Sequence, residues 1–131
     1  MLKVPSTLPQ ELEEFVYKTI GCGIAVHRGL GPGLLEQIYV RAISIELEVQ
    51  GLPYALERQY PVYYRHRLLC QQRLDLVVAD QIALEIKSVD QLAPVHHAQL
   101  LSYLRVSGLR VGLLMNFNVP ILQDGLRRIV V

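Results

Sequence analysis

Apolar residues return every three or four positions through Leu12, Phe15, Val16, Thr19, Ile20, Gly23 and Val26, which predicts a first helix. Thr7 with Gln10 has the form of a capping box at its start. Gly21 and Gly23 either weaken this helix or let another backbone come close. The glycine-rich run Gly29–Gly33 ends it, and a second helix is predicted from Leu34 to Gln50, stopped by Gly51 and Pro53. The period then shortens toward two. Glu57–Tyr64 reads as a strand in which Pro61 marks an edge or a bulge, and Arg65–Arg67 as a polar turn. Leu68–Gln72 leads into a strand Leu74–Val78, Ala79–Gln81 turns the chain, and Ile82–Lys87 returns. Pro94 opens a third helix, Val95–Ser107, which Gly108 ends. Arg110–Phe117 is an apolar run of strand length, and Gly125–Val131 suits a short edge strand. The order α, α, β, β, β, α, β predicts an α/β fold, one mixed sheet flanked by helices in a single domain over residues 1–131, with residues 1–6 as a loose end.

Three charges interrupt the apolar strands. Residues two apart in a strand share a face, so Glu85 and Lys87 point together, away from Leu84 and Ile86. Where Asp75 points depends on the turn. A two-residue turn at Asp80-Gln81 pairs Asp75 with Ile86 and leaves it on the wrong face; a three-residue loop, or a bulge, pairs it with Glu85 and gathers all three charges. Two adjacent carboxylates raise each other's pKa unless a cation joins them. A hard divalent ion with oxygen ligands, Mg²⁺ or Mn²⁺, fits such a pair, and can lower the pKa of a water and stabilise charge on a phosphoryl oxygen. Lys87, the only lysine after residue 18, offers a compact ammonium for orienting or activating that water. The plainer reading of the same spacing is a surface ion pair on the wet side of a sheet.

In the second helix Gln37, Arg41, Ser44 and Glu48 form a narrow polar stripe, flanked on one side by Leu34, Ile38, Ala42, Ile45 and Val49. Glu36 lies off the stripe, on the face of Tyr39, Val40, Ile43 and Leu47. An acid there wants a partner, although an acid in a first helical turn also complements the helix dipole; Glu46 is off the stripe too, with no evident task. On the third helix His96, Gln99 and Tyr103 share a face, either as a polar flank with a half-buried tyrosine or as neutral groups that position a phosphate or a water. His96 and His97 point about 100° apart and make a poor metal pair.

Composition narrows the field. The hydrophobic fraction is 51% and the charged fraction 19%, which argues against disorder. Cys22 and Cys70 are isolated, which points to buried thiols and against a zinc site or a disulfide framework. No apolar run is long enough to cross a bilayer and the start lacks a signal-peptide core, so the expected address is the cytoplasm, with no membrane partner. The net charge of +1 advertises no polyanion, so a nucleic-acid function needs a local basic patch. Arg58, Arg65, His66, Arg67 and Arg73 can form such a ribbon on the first hairpin, with Arg127 and Arg128 as an extension; the alternative is that these arginines serve solubility.

Gly33, Glu36 and Tyr39 spell G-x-x-E-x-x-Y, Asp75 with Glu85-Ile86-Lys87 spells D…(D/E)xK, and Gln99 with Tyr103 spells Q-x-x-x-Y. In this order, and together with the stretches 25–33 and 108–130, they resemble the GxxExxY proteins of the PD-(D/E)XK nuclease superfamily. The resemblance runs from about residue 15 to near the end, and only the proline of "PD" is missing, since Leu74 precedes Asp75. It implies a restriction-endonuclease-like αβββαβ core. It also implies that Asp75, Glu85 and the backbone carbonyl of Ile86 hold a divalent metal, Mg²⁺ or Mn²⁺, with Glu36 as a further acid. Lys87 would act on the attacking water, and Gln99 and Tyr103 would support the substrate or the lysine. The implied activity is hydrolysis of phosphodiester bonds in DNA, or RNA; a single domain of 131 residues has little surface left for reading sequence, so low specificity, a homodimer or a partner protein is expected. The rival is a non-catalytic nucleic-acid-binding or protein-interaction module on the same scaffold.

Overall fold

A computed structural model describes residues 7–131; the expected loose end at residues 1–6 lies outside the described residues. Helix α1 spans Gln10–Leu30 and α2 spans Glu36–Val49. Two short strands, β1 (Tyr54–Leu56) and β4 (Leu76–Val78), flank a longer hairpin made of β2 (Gln59–Tyr64) and β3 (Arg67–Arg73). Strand β5 (Ile82–Lys87), helix α3 (Pro94–Ser107), strand β6 (Val111–Asn116), a 3₁₀ turn (Leu122–Gly125) and strand β7 (Leu126–Val130) complete the chain. Five strands form one sheet in the order β1-β4-β5-β6-β7, parallel between β5 and β6 and antiparallel elsewhere. The expected mixed α/β architecture with flanking helices is what the chain adopts, consistent with a restriction-endonuclease-like fold.

Alternation along the strands assigns the two faces. Leu76, Val78, Ile82, Leu84 and Ile86 meet Val16, Val26, Ile43 and Leu47 of α1 and α2 in the larger core. Val77, Ala83 and Leu114 meet Leu100 and Leu104 of α3 in the smaller one. Glycine enters where packing is closest: a Cβ at Gly23 would fall 2.7 Å from Met115 Sδ. The close neighbour that Gly23 admits is thus a side chain, not another backbone, and α1 continues unbroken through both glycines.

Several boundaries differ from expectation. The cap position of α1 is Pro9 with no side-chain hydrogen bond, so the Thr7–Gln10 box does not form. Helix α2 begins at Glu36 because Leu35 is extended and the Leu34 N–H bonds to the Tyr39 hydroxyl instead. The strand expected over Glu57–Tyr64 starts at Gln59, and a short strand that was not expected, β1, precedes it; Glu57 takes a left-handed φ of 52°, which separates the two. The pairing survives the break. Tyr54↔Val78 and Gln59↔Arg73 belong to one register, bridged by the Glu57 N–H on Asp75 O and the Leu74 N–H on Arg58 O. One long ribbon therefore starts in the sheet and leaves it as an arm, β2–β3, with a bulge just after Pro61-Val62. Cys22 is buried as expected, but Cys70 is exposed on this arm, where β3 has no covering layer. Among the described residues no helix is long and apolar enough to cross a membrane.

Candidate active site

The turn between β4 and β5 decides the position of Asp75. Val78 pairs with Ile82, leaving Ala79, Asp80 and Gln81 as a three-residue loop, and Leu76 pairs with Leu84. The next position outward on this register sets Asp75 across from Glu85. The loop is bought with left-handed backbone at Ala79 (φ 53°) and Asp80 (φ 55°), and Arg58 holds the Asp80 carboxylate at 2.7 Å. The two acids then interlock. Glu85 Oε1 accepts the Asp75 N–H at 3.1 Å, and Asp75 Oδ2 accepts the Ile86 N–H at 2.9 Å.

Strand β5 outruns β4, and the open edge this leaves carries the chemistry. Backbone N–H and C=O of one strand residue point to the same side. The Ile86 N–H faces the side vacated by β4, so its carbonyl faces that side too, next to the Asp75 carboxylate. Two residues on, the Ser88 N–H reaches Glu36 Oε1 at 3.4 Å, and the Ser88 hydroxyl donates to Leu34 O at 2.6 Å. The acids from the ribbon and from α2 thus take successive donors along one edge.

Each letter of G-x-x-E-x-x-Y has a physical task here. Gly33 has a φ of 99°, a conformation open to glycine, and lets the chain turn into α2. Glu36 is the first residue of that helix. Tyr39 is fully buried, stacked on Phe117 at 4.4 Å, and its hydroxyl donates to Gly31 O at 2.6 Å while accepting the Leu34 N–H at 3.1 Å. The tyrosine pins the loop from which Glu36 emerges.

Electrostatics follows from burial. Desolvation pushes the Glu85 carboxyl up to about 8; the Asp75 charge adds to this, and the Asp75 N–H and Lys87 oppose it. Asp75 is also raised, first by burial, against the pull of the Ile86 N–H and of Lys87; Glu36 pushes both acids further up. The Lys87 ammonium acts on the pair through space, since among the described residues it makes no direct ion pair or side-chain hydrogen bond. Tyr103 belongs to the same field: burial raises its phenol, then the Glu85 and Asp75 charges, while Arg73 opposes.

The other expected residues divide. Glu36 stays at the Ser88 end of the edge, and among the described residues no three acidic, His or Cys side chains converge into a metal cluster. Gln99 is exposed, one turn before Tyr103, and among the described residues has no hydrogen bond to the acids. His96 caps its own helix by accepting the Ala93 N–H at 3.0 Å. Of the basic ribbon, Arg58 is taken by Asp80, Arg73 sits 3.9 Å from Glu57 and within the field of Asp75, and Arg65 and Arg67 stand at the tip of the arm. Arg127 and Arg128 do not extend this ribbon. They lie on β7, at the opposite edge of the sheet from the arm, bonded to carbonyls of Asp124 and Leu126 and to Glu13 respectively.

Ser88 and Asn116 were not foreseen. Asn116 is buried beside Lys87 across the parallel ladder; its Oδ1 accepts the Val89 N–H at 3.0 Å and its Nδ2 donates to Val89 O at 2.9 Å, which clamps the exit from β5. A polar residue at the end of the apolar run 110–117 is the signal that could have marked it.

A mixed sheet with an acid pair and a lysine on the open edge of its third strand defines a restriction-endonuclease-like architecture. Residues 13–129 match the PD-(D/E)XK nuclease superfamily, and the chain belongs to it. The family is one of nuclease-type phosphodiesterases that act on nucleic acids and generally use divalent metals. No curated protein and no solved structure gives a significant match.

Proposed function

We propose that this chain is a GxxExxY-type nuclease that hydrolyses phosphodiester bonds in DNA with the help of Mg²⁺ or Mn²⁺. The observation that carries the reading is the interlocked pair Asp75–Glu85 on the open edge of β5. The donor set suits a hard cation: two carboxylates and the Ile86 carbonyl are all oxygen, and a buried glutamate whose pKa is pushed up to about 8 gains most from a positive neighbour. When bound there, a divalent ion supplies a water of lowered pKa and stabilises charge on the phosphoryl oxygens.

The protein groups do the rest. Glu85 is held by the Asp75 N–H and Asp75 by the Ile86 N–H, so the ligand geometry is set before substrate arrives. Lys87, free of a direct carboxylate partner among the described residues, can donate to the attacking water or to a phosphate oxygen. Glu36 orders the Ser88 end of the edge, and Tyr103 offers a phenol hydroxyl as a neutral donor. Arg65 and Arg67 on the arm supply phosphate contacts.

The test is metal binding and turnover on the same variants. Calorimetric titration of Mn²⁺ into wild type and Glu85→Ala should show a site that the variant loses, and Asp75→Ala and Lys87→Ala should abolish Mn²⁺-stimulated cleavage of plasmid DNA. Metal-stimulated cleavage that survives both substitutions refutes the roles. Metal-independent DNA binding without any cleavage by wild type points to the non-catalytic module.

A further inference from the structure

The acid site occupies one side of α2; the opposite side carries a second pattern that catalysis leaves unused. Leu35, Ile38, Ala42, Ile45 and Val49 follow each other at intervals of three, four, three and four, the spacing of a coiled-coil seam. The fold leaves most of this seam uncovered: Leu35 is 76% exposed, Ile38 44%, Ile45 54% and Val49 70%, while Ala42 between them is partly buried against the core. Tyr39, Ile43 and Leu47, which face the core, are fully buried, so the seam is surplus to the needs of the fold.

We propose that this seam seats a second copy of the chain, α2 against α2, antiparallel about a two-fold axis. The flanking charges argue for a copy and also choose its register. Arg41 and Glu48 lie on the same flank of the seam, and in an antiparallel pair like flanks face one another. Two registers bring apolar positions into layers. One sets Ile38 against the partner's Ala42 and leaves Arg41 facing the partner's Arg41. The other sets Ala42 against the partner's Ile45 and Ile38 against the partner's Val49, and brings Arg41 across from the partner's Glu48, twice by symmetry. Charge selects the second. The seam also borders a groove between α1 and α2 lined by Tyr17, Ile20, Ile24, Glu46 and Gln50, which widens the contact beyond one helix.

Size sets the strength. A 14-residue helix is about 21 Å long, and two such faces bury less than the roughly 800 Å² per partner of a standard interface. Self-association on the order of micromolar to tens of micromolar is therefore expected. Ile38 and Ile45 stand about 200° and 180° around the helix from Glu36, so the seam can be altered without touching the acid pair.

Sedimentation equilibrium on the full chain tests the proposal, with far-UV circular dichroism and a thermal melt as controls for folding. Wild type should dimerise, Ile45→Glu should be monomeric, and Arg41→Glu or Glu48→Arg should each weaken the dimer about tenfold, with the double swap restoring it. In a Cys70→Ser background, a mixture of Ala42→Cys and Ile45→Cys chains should cross-link to each other faster than either does to itself. A wild type that stays monomeric at several hundred micromolar, a folded Ile45→Glu that still dimerises, or preferential Ala42→Cys self-linking overturns the proposal.

Discussion

Leu84 and Glu85 are adjacent in the chain and both buried, yet they answer to different physics. Leu84 points into the face covered by two helices, where apolar side chains fill the space from Val16 to Phe117. Glu85 points into the face covered by α3 alone, whose smaller core ends before the tip of β5 and leaves an edge that β4 does not reach. A fully covered face holds apolar side chains and neutral polar groups whose partners are at hand, as the Tyr39 hydroxyl's are; a half-covered one can hold charge, provided the backbone supplies donors. The same strand therefore stabilises the fold on one side and holds a desolvated carboxylate for chemistry on the other.

The sharpest way to break the contrast is to truncate one residue on each face. Leu84→Ala should cost roughly 2–5 kcal/mol in denaturant unfolding. Glu85→Gln should keep or raise stability near pH 8 while losing Mn²⁺ binding, because it removes a charge that burial disfavours. A Glu85→Gln variant that is as damaged as Leu84→Ala would erase the distinction between the faces.

pH sharpens it next. Glu85 titrates near 8 when folded, above its ordinary 4.5, so between these values the folded protein holds a proton that the unfolded chain has released. Metal-free stability from this group is fully present below about 4.5 and is lost as pH rises through about 8. Thermal melts should follow that slope in wild type and flatten in Glu85→Gln. Saturating Mn²⁺ should restore stability at high pH in wild type only.

Smaller effects follow at the supports. Tyr39→Phe removes the hydroxyl that ties Gly31 to Leu34, and should cost about 1–2 kcal/mol, with a larger proportional loss in activity because Glu36 loses its anchor. Arg58→Ala should cost less than about 1 kcal/mol, since its bond to Asp80 is partly solvated. It should weaken DNA binding less than Arg65→Ala or Arg67→Ala, whose side chains stand at the arm's tip; filter binding against salt would rank the three.

Periodicity carried much of this. The 3.6-residue spacing located all three helices to within a few residues, and the alternation in β5 put Glu85 and Lys87 on one face, because these repeats are properties of the backbone alone. The resemblance of short motifs pointed to the superfamily that residues 13–129 match. What periodicity could not supply was anything that depends on two segments meeting. The extra strand β1 set off from β2 at Glu57, the exposure of Cys70 on the arm and the capture of Arg58 by Asp80 all follow from where the ribbon leaves the sheet. Asp75 is the plainest case. Its neighbours in the chain allow either face, and a single residue more or less in the turn would reverse it. Ala79 and Asp80, held left-handed in a three-residue loop, turn it toward Glu85. A repeat along one strand is local and can be read in place; the register between two strands is a property of the pair, settled when packing against α1, α2 and α3 makes one alignment bury its apolar faces and every other expose them.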